Sequence, residues 1–323
     1  MHTNPTTIIT GFLGAGKTTY LNSILDKYAE IKFAIIENEL GEKSIDSDLI
    51  LRGEENVMEL NNGCLCCTIN DGLYEILGQL YKRRNDFQEL IIEATGVADP
   101  RGLANPFLTN PSIKKQFPLR QIICLVDAAL IEQQLEVTEE AIHQITFSDL
   151  ILINKTDLVD EHQLKRVETL LKKLNPLSKI LIGNKDNFPA IQNDFLQVTD
   201  GIKQVEQVEQ EEFLITKTAP PNHKHTKGIK SFTLNIEKPF DYKKLHLRLL
   251  TFLIFQSKHL FRMKGVICLQ DSEEKYVLQA VGKQLTLEPF GKRKEGEKKW
   301  SKIVIIGKDF KKEALQKMFE QGT

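Results

Sequence analysis

This sequence lacks three features that would place a chain in a membrane, in the secretory pathway or on nucleic acid. The longest apolar stretch, residues 249–255, is far shorter than the roughly 20 residues that cross a bilayer. Residues 1–7 carry no charged n-region, which argues against a cleaved secretory peptide. The formal net charge is only -1, so no basic surface for nucleic acid or an anionic membrane is expected. We therefore predict a cytoplasmic protein without nucleic-acid or membrane partners.

Cysteine is scarce, with five residues in a chain of 323. Three of them, Cys64, Cys66 and Cys67, fall within four positions, which does not resemble a disulfide framework. In a reducing compartment these thiols are free to bind metal or to do redox chemistry. Cys124 and Cys268 lie inside apolar runs, and we predict that both are packing residues.

Short apolar runs alternate with helical patterns over the first 200 residues. Strands are predicted at residues 6–10, 33–36, 90–92, 122–126, 150–153 and 179–182, and helices at 18–27, 71–82 and 161–174. Buried strands that alternate with helices indicate a mostly parallel sheet flanked by helices on both faces. The predicted fold class is therefore α/β.

The pattern changes after residue 200. Residues 201–228 are polar and acidic and then carry a Pro-Pro pair, so they are predicted to be a linker. Further strands are predicted at residues 231–236, 265–269, 276–281 and 302–306, and helices at 242–255 and 310–319. We expect an α/β domain over residues 1–200, the linker, and a smaller C-terminal α+β domain over residues 229–323.

Residues 11–18 read GFLGAGKT, which fits the P-loop pattern G-x-x-x-x-G-K-[ST] between a strand and a helix. Such glycines let backbone N–H groups turn towards phosphates at a helix N-terminus. Lys17 is placed to reach the β- and γ-phosphates, and the Thr18 hydroxyl to ligate Mg²⁺. The predicted phosphate-site residues are Gly11, Gly14, Ala15, Gly16, Lys17, Thr18 and Thr19. The alternative is a glycine-rich turn that binds no nucleotide.

A second apolar strand ends in Glu93, which is followed closely by Gly96. In a chain with a P-loop, this position predicts that Glu93 contacts the Mg²⁺ shell or the attacking water. The N–H of Gly96 is predicted to meet the γ-phosphate. Together with Lys17, these two residues are the candidate catalytic residues.

The nucleotide base is predicted by the sequence NKTD, which follows the strand at residues 150–153. Asp157 can accept hydrogen bonds from N1–H and the 2-amino group of guanine, whereas adenine offers neither donor. Asn154 and Lys155 complete the predicted base site. The expected nucleotide is therefore GTP, and the expected reaction is GTP hydrolysis to GDP and phosphate.

The cysteine cluster lies on a predicted loop that leads into the helix at residues 71–82. Two thiolates separated by one residue can point at a single ion, and such soft ligands suit Zn²⁺ or a similar metal such as Co²⁺. Cys64, Cys66 and Cys67 are therefore candidate metal ligands. Three buried packing residues or a redox-active thiol pair are the alternatives.

Carboxylates and histidines elsewhere leave several interpretations open. Glu37, Glu39 and Glu42 follow the second strand, where a P-loop protein carries its first switch, and could contact Mg²⁺, the transferred metal or only water. His223 and His225 in the linker are consistent with a solvated segment or a weak metal site.

The segments GFLGAGKTT, IENELGE, GCLCCT, EATGVADP and NKTD, in this order, resemble the CobW-like metallochaperone GTPases, including their zinc-regulated members. The later segments FRMKGVICL, QAVG and WSKIVIIGKD are similar to the second domain of that family. The resemblance implies a slow GTPase in which Cys64, Cys66 and Cys67 bind a metal, and in which metal binding and Mg-GTP binding are coupled. It further implies that hydrolysis accompanies metal transfer to a client metalloprotein. The long His-rich tract of many members is reduced here to two histidines, which argues against metal storage.

The predicted function is a GTP-dependent metallochaperone that delivers a divalent transition metal, most simply zinc, to a client protein. The alternatives are a nucleotide-dependent regulatory switch or metal sensor, a cobalt chaperone linked to cobalamin synthesis, and a P-loop kinase with structural cysteines. The sequence leaves open whether the chain forms a homo-oligomer.

Overall fold

The computed structural model describes residues 2–37, 57–59, 69–189, 228–293 and 299–323. It divides into two compact units, one built mainly from residues 2–189 and the other mainly from residues 228–323. Several predicted site residues lie outside the described residues, namely Glu39, Glu42, Cys64, Cys66, Cys67, His223 and His225. Among the described helices, none combines the length and the apolar character that a membrane span requires.

The first unit contains the strands and helices predicted from the apolar pattern, together with several short ones. Its strands are β1 (Thr6–Gly11), β2 (Phe33–Glu37), β3 (Val57–Glu59), β4 (Glu89–Glu93), β5 (Leu119–Asp127), β6 (Leu150–Asn154) and β7 (Lys179–Ile182). The helices in this part of the chain are α1 (Lys17–Lys27), α2 (Ile69–Lys82), α3 (Pro100–Thr109), α4 (Pro111–Gln116), α5 (Ile131–Val137), α6 (Glu139–Phe147) and α7 (Glu161–Leu174).

These strands form one parallel sheet in the order β3-β2-β4-β1-β5-β6-β7. The central strand β1 pairs with β4 on one side and β5 on the other. Parallel strands end at the same edge of a sheet, so the loops after β1, β4 and β6 lie together at its carboxyl edge. This edge is where the P-loop, Glu93 and the NKTD sequence are found. The predicted α/β fold class is confirmed.

Apolar burial holds α1 against the sheet. The helix buries Tyr20, Leu21 and Ile24, and these side chains join a core cluster that includes Ile9 and Ile123 of the central strands. Complete burial of one such side chain contributes about 1.5–3 kcal/mol. The start of α1, and therefore the P-loop that precedes it, is fixed on the central strand by this packing.

Within residues 228–293 and 299–323, the second unit is an antiparallel sheet with two helices. Its elements are β8 (Ile229–Ile236), α8 (Tyr242–Gln256), β9 (Leu260–Cys268), β10 (Glu274–Val281), β11 (Gln284–Lys292), β12 (Ser301–Lys308) and α9 (Lys312–Glu320). The strand order is β11-β10-β9-β12-β8. Leu249 of α8 and Phe319 of α9 pack with Ile303 and Ile305 of β12 in one core. The predicted α+β class of this part is confirmed.

The elements that the sequence did not predict are short or carry turn-forming residues. Helix α3 contains Pro106 in its interior, and proline there normally indicates a turn or a helix end. Strand β11 is largely exposed and includes Pro289 and Gly291, which weaken a strand pattern. Cys124 and Cys268 are both buried, as predicted for packing residues.

Candidate nucleotide-binding site

The loop between β1 and α1 has a backbone that only glycine adopts easily. Gly11, Gly14 and Gly16 have φ angles of 141°, 76° and 97°, which lie in the region disfavoured for other residues. A Cβ on Gly16 would also clash with the side-chain amide of Asn154. Gly16 is the N-cap of α1, and because glycine has no side chain, it does not cap the first N–H groups of the helix. The first N–H groups of α1 are thus in the arrangement that binds a phosphate.

Lys17 lies over this loop. Its Nζ donates to the carbonyl oxygens of Gly11 at 3.1 Å and Phe12 at 3.3 Å, and the residue is 8% exposed. Burial lowers the pKa of Lys17, while the charge of Glu93 acts to raise it. The ammonium group is therefore held by two carbonyls that a phosphate oxygen could replace.

The hydroxyl of Thr18 and the carboxylate of Glu93 are in direct contact. The Thr18 hydroxyl donates to Oε1 of Glu93 at 2.8 Å, which joins the first turn of α1 to the end of β4. Glu93 is 9% exposed, and its register partner in β2 is Glu37. Mg²⁺ prefers hard oxygen ligands of this kind, so the donor set fits the predicted metal.

The segment after β4 is packed closely against the P-loop. A Cβ on Gly96 would lie 2.6 Å from the backbone nitrogen of Leu13, so any larger residue would displace one of the two loops. The carbonyl oxygens of Gly96 and Ala98 each accept a hydrogen bond from Nε2 of Gln144 in α6, both at 3.2 Å. Gly96 therefore lies next to the phosphate loop.

The NKTD residues have three different environments. Asn154 is 3% exposed, and its Nδ2 donates to the P-loop carbonyl of Ala15 at 2.9 Å. Lys155 has a φ angle of 58°, and its Nζ forms a 2.8 Å ion pair with Asp127. Asp157 lies on a 3-10 turn, Thr156–Leu158, and is exposed. The motif is thus fixed to the phosphate loop while its carboxylate faces solvent.

Sequence reasoning missed two contributors to this edge of the sheet. Asp127 is 2% exposed at the end of β5, and its Oδ1 accepts a hydrogen bond from the N–H of Ala129 at 2.9 Å. An acid at the end of an apolar strand was the signal that identified Glu93, and it could have identified Asp127. Thr156 donates to the carbonyl of Gly183 at 3.1 Å, a contact that has no local sequence signal.

The structure brings most of the predicted nucleotide residues to one place. Gly11 to Thr18, Glu93, Gly96 and Asn154 are joined by direct contacts, and Thr19 is exposed in the first turn of α1. Across the described residues, no cluster of three or more His, Cys, Asp or Glu side chains could hold a metal ion. Cys64, Cys66 and Cys67 lie outside the described residues, so the CxCC site stays a prediction.

Comparison with protein families gives matches over both units. The model for the CobW/HypB/UreG nucleotide-binding domain matches residues 5–182, which is more than half of the chain. The chain belongs to the CobW/HypB/UreG family. The model for the cobalamin synthesis protein CobW C-terminal domain matches residues 229–323. The family expected from the motifs is confirmed.

Individual members of the CobW/HypB/UreG family match over different lengths. The zinc chaperone YjiA of Escherichia coli K12 is 30% identical over 326 residues, which cover 97% of this chain and 96% of that protein. The zinc-regulated GTPase metalloprotein activator 1 of Dictyostelium discoideum is 30% identical over 75% of this chain and 58% of its own length. The crystal structure of Zn(II)-bound YjiA GTPase from E. coli covers 100% of both chains with a TM-score of 0.71 and 26% identity. The expected P-loop GTPase fold is also confirmed.

Proposed function

We propose that this chain is a GTP-hydrolysing metallochaperone that binds zinc at its CxCC motif and transfers it to a client metalloprotein. The observation that carries the nucleotide part is the hydrogen bond from Asn154 to Ala15. It joins the guanine motif to the phosphate loop, so one nucleotide can contact both. The family match and the relatives named as GTPases support hydrolysis as the reaction.

In the proposed reaction, a water oxygen attacks the γ-phosphorus and the bond to the β,γ-bridging oxygen breaks, which yields GDP and phosphate. Lys17 exchanges its two carbonyl partners for the β- and γ-phosphate oxygens. Thr18 and Glu93 would hold Mg²⁺, which neutralises charge on the phosphates when it is bound. The N–H of Gly96 would support the γ-phosphate, and Glu93 would orient the attacking water.

Asp157 selects the base in this proposal. Its exposed carboxylate would accept hydrogen bonds from the two guanine donors, and Asn154 and Lys155 would hold the motif in place. Each hydrogen bond to a charged group is worth about 1.5–3 kcal/mol. Loss of this carboxylate is therefore expected to reduce GTP use strongly.

The metal part of the proposal rests on the thiols and on the relatives. Cys64, Cys66 and Cys67 supply soft ligands, and relatives that match the chain are named zinc chaperones. In sequence, the motif lies between Glu37, at the end of β2, and helix α2. Strand β2 pairs with β4, which ends in Glu93. Loss of the γ-phosphate could therefore change the metal site through the adjoining switch segment, to which Glu39 and Glu42 belong.

Cobalt is the second candidate metal. The match to the C-terminal domain of cobalamin synthesis protein CobW favours it, and the same thiolate ligands accept Co²⁺. We propose a GTPase domain over residues 1–200 that carries the CxCC motif, a linker over 201–228 and a C-terminal domain over 229–323. The proposed location is cytoplasmic, and the proposed partner is a client metalloprotein. A sensor or regulatory switch would bind partners according to nucleotide without transferring metal.

Guanine selection is tested with Asp157→Asn. This change is expected to lower kcat/KM for GTP by about 100-fold and to shift preference towards xanthosine triphosphate, whose base offers an acceptor at the position of the 2-amino group. Asp160→Asn, at the next exposed acid before α7, is the matched control and should behave like the wild type. Unchanged GTP turnover in Asp157→Asn would contradict the base assignment.

Metal transfer is tested by loading the chain with Zn²⁺ and GTP and following zinc release to a chromogenic chelator together with phosphate formation. The proposal predicts that both follow the same time course. The Lys17→Ala variant should retain zinc and form no phosphate. Equal release rates with GTP and with a non-hydrolysable analogue would exclude coupled transfer and favour the switch alternative.

A further inference from the structure

Gln144 is a buried polar residue that contacts the segment after β4. It lies in α6 and is 1% exposed. Its Nε2 donates to the carbonyl oxygens of Gly96 and Ala98, both at 3.2 Å. A side-chain amide has two N–H donors, so both hydrogens of this group are directed at one short piece of backbone.

This arrangement is needed because backbone carbonyls in an irregular segment require donors when they are buried. Burial of an amide without such partners costs about 1–3 kcal/mol. Most of the side chains that helix α6 buries are apolar, such as Ile142 and Ile145. Gln144 is thus a polar contact point on a largely apolar helix face.

The segment is held at three further points. Upstream, Glu93 accepts the hydrogen bond of Thr18. On the P-loop side, Gly96 lies against Leu13 so closely that a Cβ would not fit. Downstream, Asp99 accepts from the N–H of Arg101 and caps α3. Gln144 supports the middle of the segment through the carbonyls of Gly96 and Ala98.

We infer that Gln144 is a positioning residue for GTP hydrolysis. By fixing the carbonyls of Gly96 and Ala98, it holds the backbone so that the Gly96 N–H points at the γ-phosphate, while Gln144 itself contacts neither substrate nor Mg²⁺. The inference rests on the proposed role of Gly96. The hydrogen bonds of Gln144 should therefore affect only states that contain a γ-phosphate, and GDP binding should not depend on Gln144.

The test compares Gln144→Met with wild type in three measurements: kcat for GTP, Kd for GDP and Kd for a non-hydrolysable GTP analogue. Methionine keeps the length and burial of the side chain and removes both donors. The expected result is a kcat lower by about tenfold or more. The affinity for the GTP analogue should fall, whereas the affinity for GDP should stay within about twofold of wild type. Thr146→Val is the matched control, because Thr146 is buried in the same helix and donates within it, to Ile142. It should leave all three quantities unchanged.

A second variant that keeps one of the two N–H donors separates loss of positioning from misfolding. Gln144→His retains one ring N–H donor, so its kcat and its analogue-to-GDP affinity ratio should fall between those of wild type and Gln144→Met. Equal ratios in wild type and both variants, or equal losses of GDP and analogue binding, would overturn the inference. Absence of GTP hydrolysis by the wild type would instead contradict the proposed GTPase function. Failure of that proposal can therefore be distinguished from failure of the role assigned to Gln144.

Discussion

Replacement of Glu89 by glutamine is expected to change how the stability of the first unit depends on pH. Glu89 begins β4, at the opposite edge of the sheet from the nucleotide site, and Nη1 of Arg120 donates to it at 2.8 Å. The two side chains are only 7% and 5% exposed. Burial raises the pKa of Glu89 to about 7, while the charge and the hydrogen bond of Arg120 oppose that rise.

The direction of the effect follows from proton binding. Between the ordinary pKa of 4.5 and about 7, the folded protein keeps a proton on Glu89 that the unfolded chain has released. The stability that this proton provides is fully present below pH 4.5 and is lost as the pH rises through 7. Each pH unit in the interval changes the free energy of unfolding by about 1.4 kcal/mol, so the whole interval corresponds to about 3 kcal/mol.

Glutamine resembles the neutral carboxyl group and does not titrate. Relative to wild type, Glu89→Gln should therefore gain about 3 kcal/mol of stability between pH 4.5 and pH 8. Urea denaturation followed by far-UV circular dichroism at several pH values measures this difference. Glu132→Gln is the control, because Glu132 pairs with Arg166 at the surface at 3.0 Å, and exposed pairs contribute little. Parallel pH profiles for Glu89→Gln and wild type would refute the reasoning.

Two further predictions concern single positions of the same unit. Gly16→Ala is expected to weaken GDP binding by about tenfold or more, because alanine is strained at this φ angle of 97° and its Cβ meets the amide of Asn154; an unchanged affinity in a fluorescent-nucleotide titration would contradict this. Gln121→Met is expected to raise the free energy of unfolding by about 1 kcal/mol. The Gln121 side chain is 0% exposed, and its amide has no hydrogen-bond partner among the described residues. A less stable variant in urea denaturation would argue against this interpretation.

Local sequence patterns predicted the features that depend on neighbouring residues. The strands of the parallel sheet are apolar runs, and β1 and β4 are buried along their whole length. The P-loop needs glycine where the backbone has positive φ, so its pattern is visible in the sequence. The NKTD motif is likewise a local signal, and its position after β6 placed it at the correct edge of the sheet.

Contacts between distant parts of the chain could not be predicted in this way. Gln144 is 48 residues from Gly96 in sequence, and nothing in the pattern of α6 separates it from a solvent-facing glutamine. The ion pair between Asp127 and Lys155 depends on how β5 and β6 pair and on the positive φ of Lys155. Such features require the fold, because they are set by tertiary neighbours.

The central claim is that nucleotide state controls metal affinity. The most direct test is an anaerobic Zn²⁺ titration of the chain loaded with Mg²⁺ and a GTP analogue and of the chain loaded with GDP. The triple variant Cys64→Ser, Cys66→Ser, Cys67→Ser is titrated in parallel. We predict zinc affinity at least about tenfold tighter with the GTP analogue, which corresponds to a coupling of about 1.4 kcal/mol, and loss of this difference in the triple variant. Equal zinc affinities in the two nucleotide states would contradict the account.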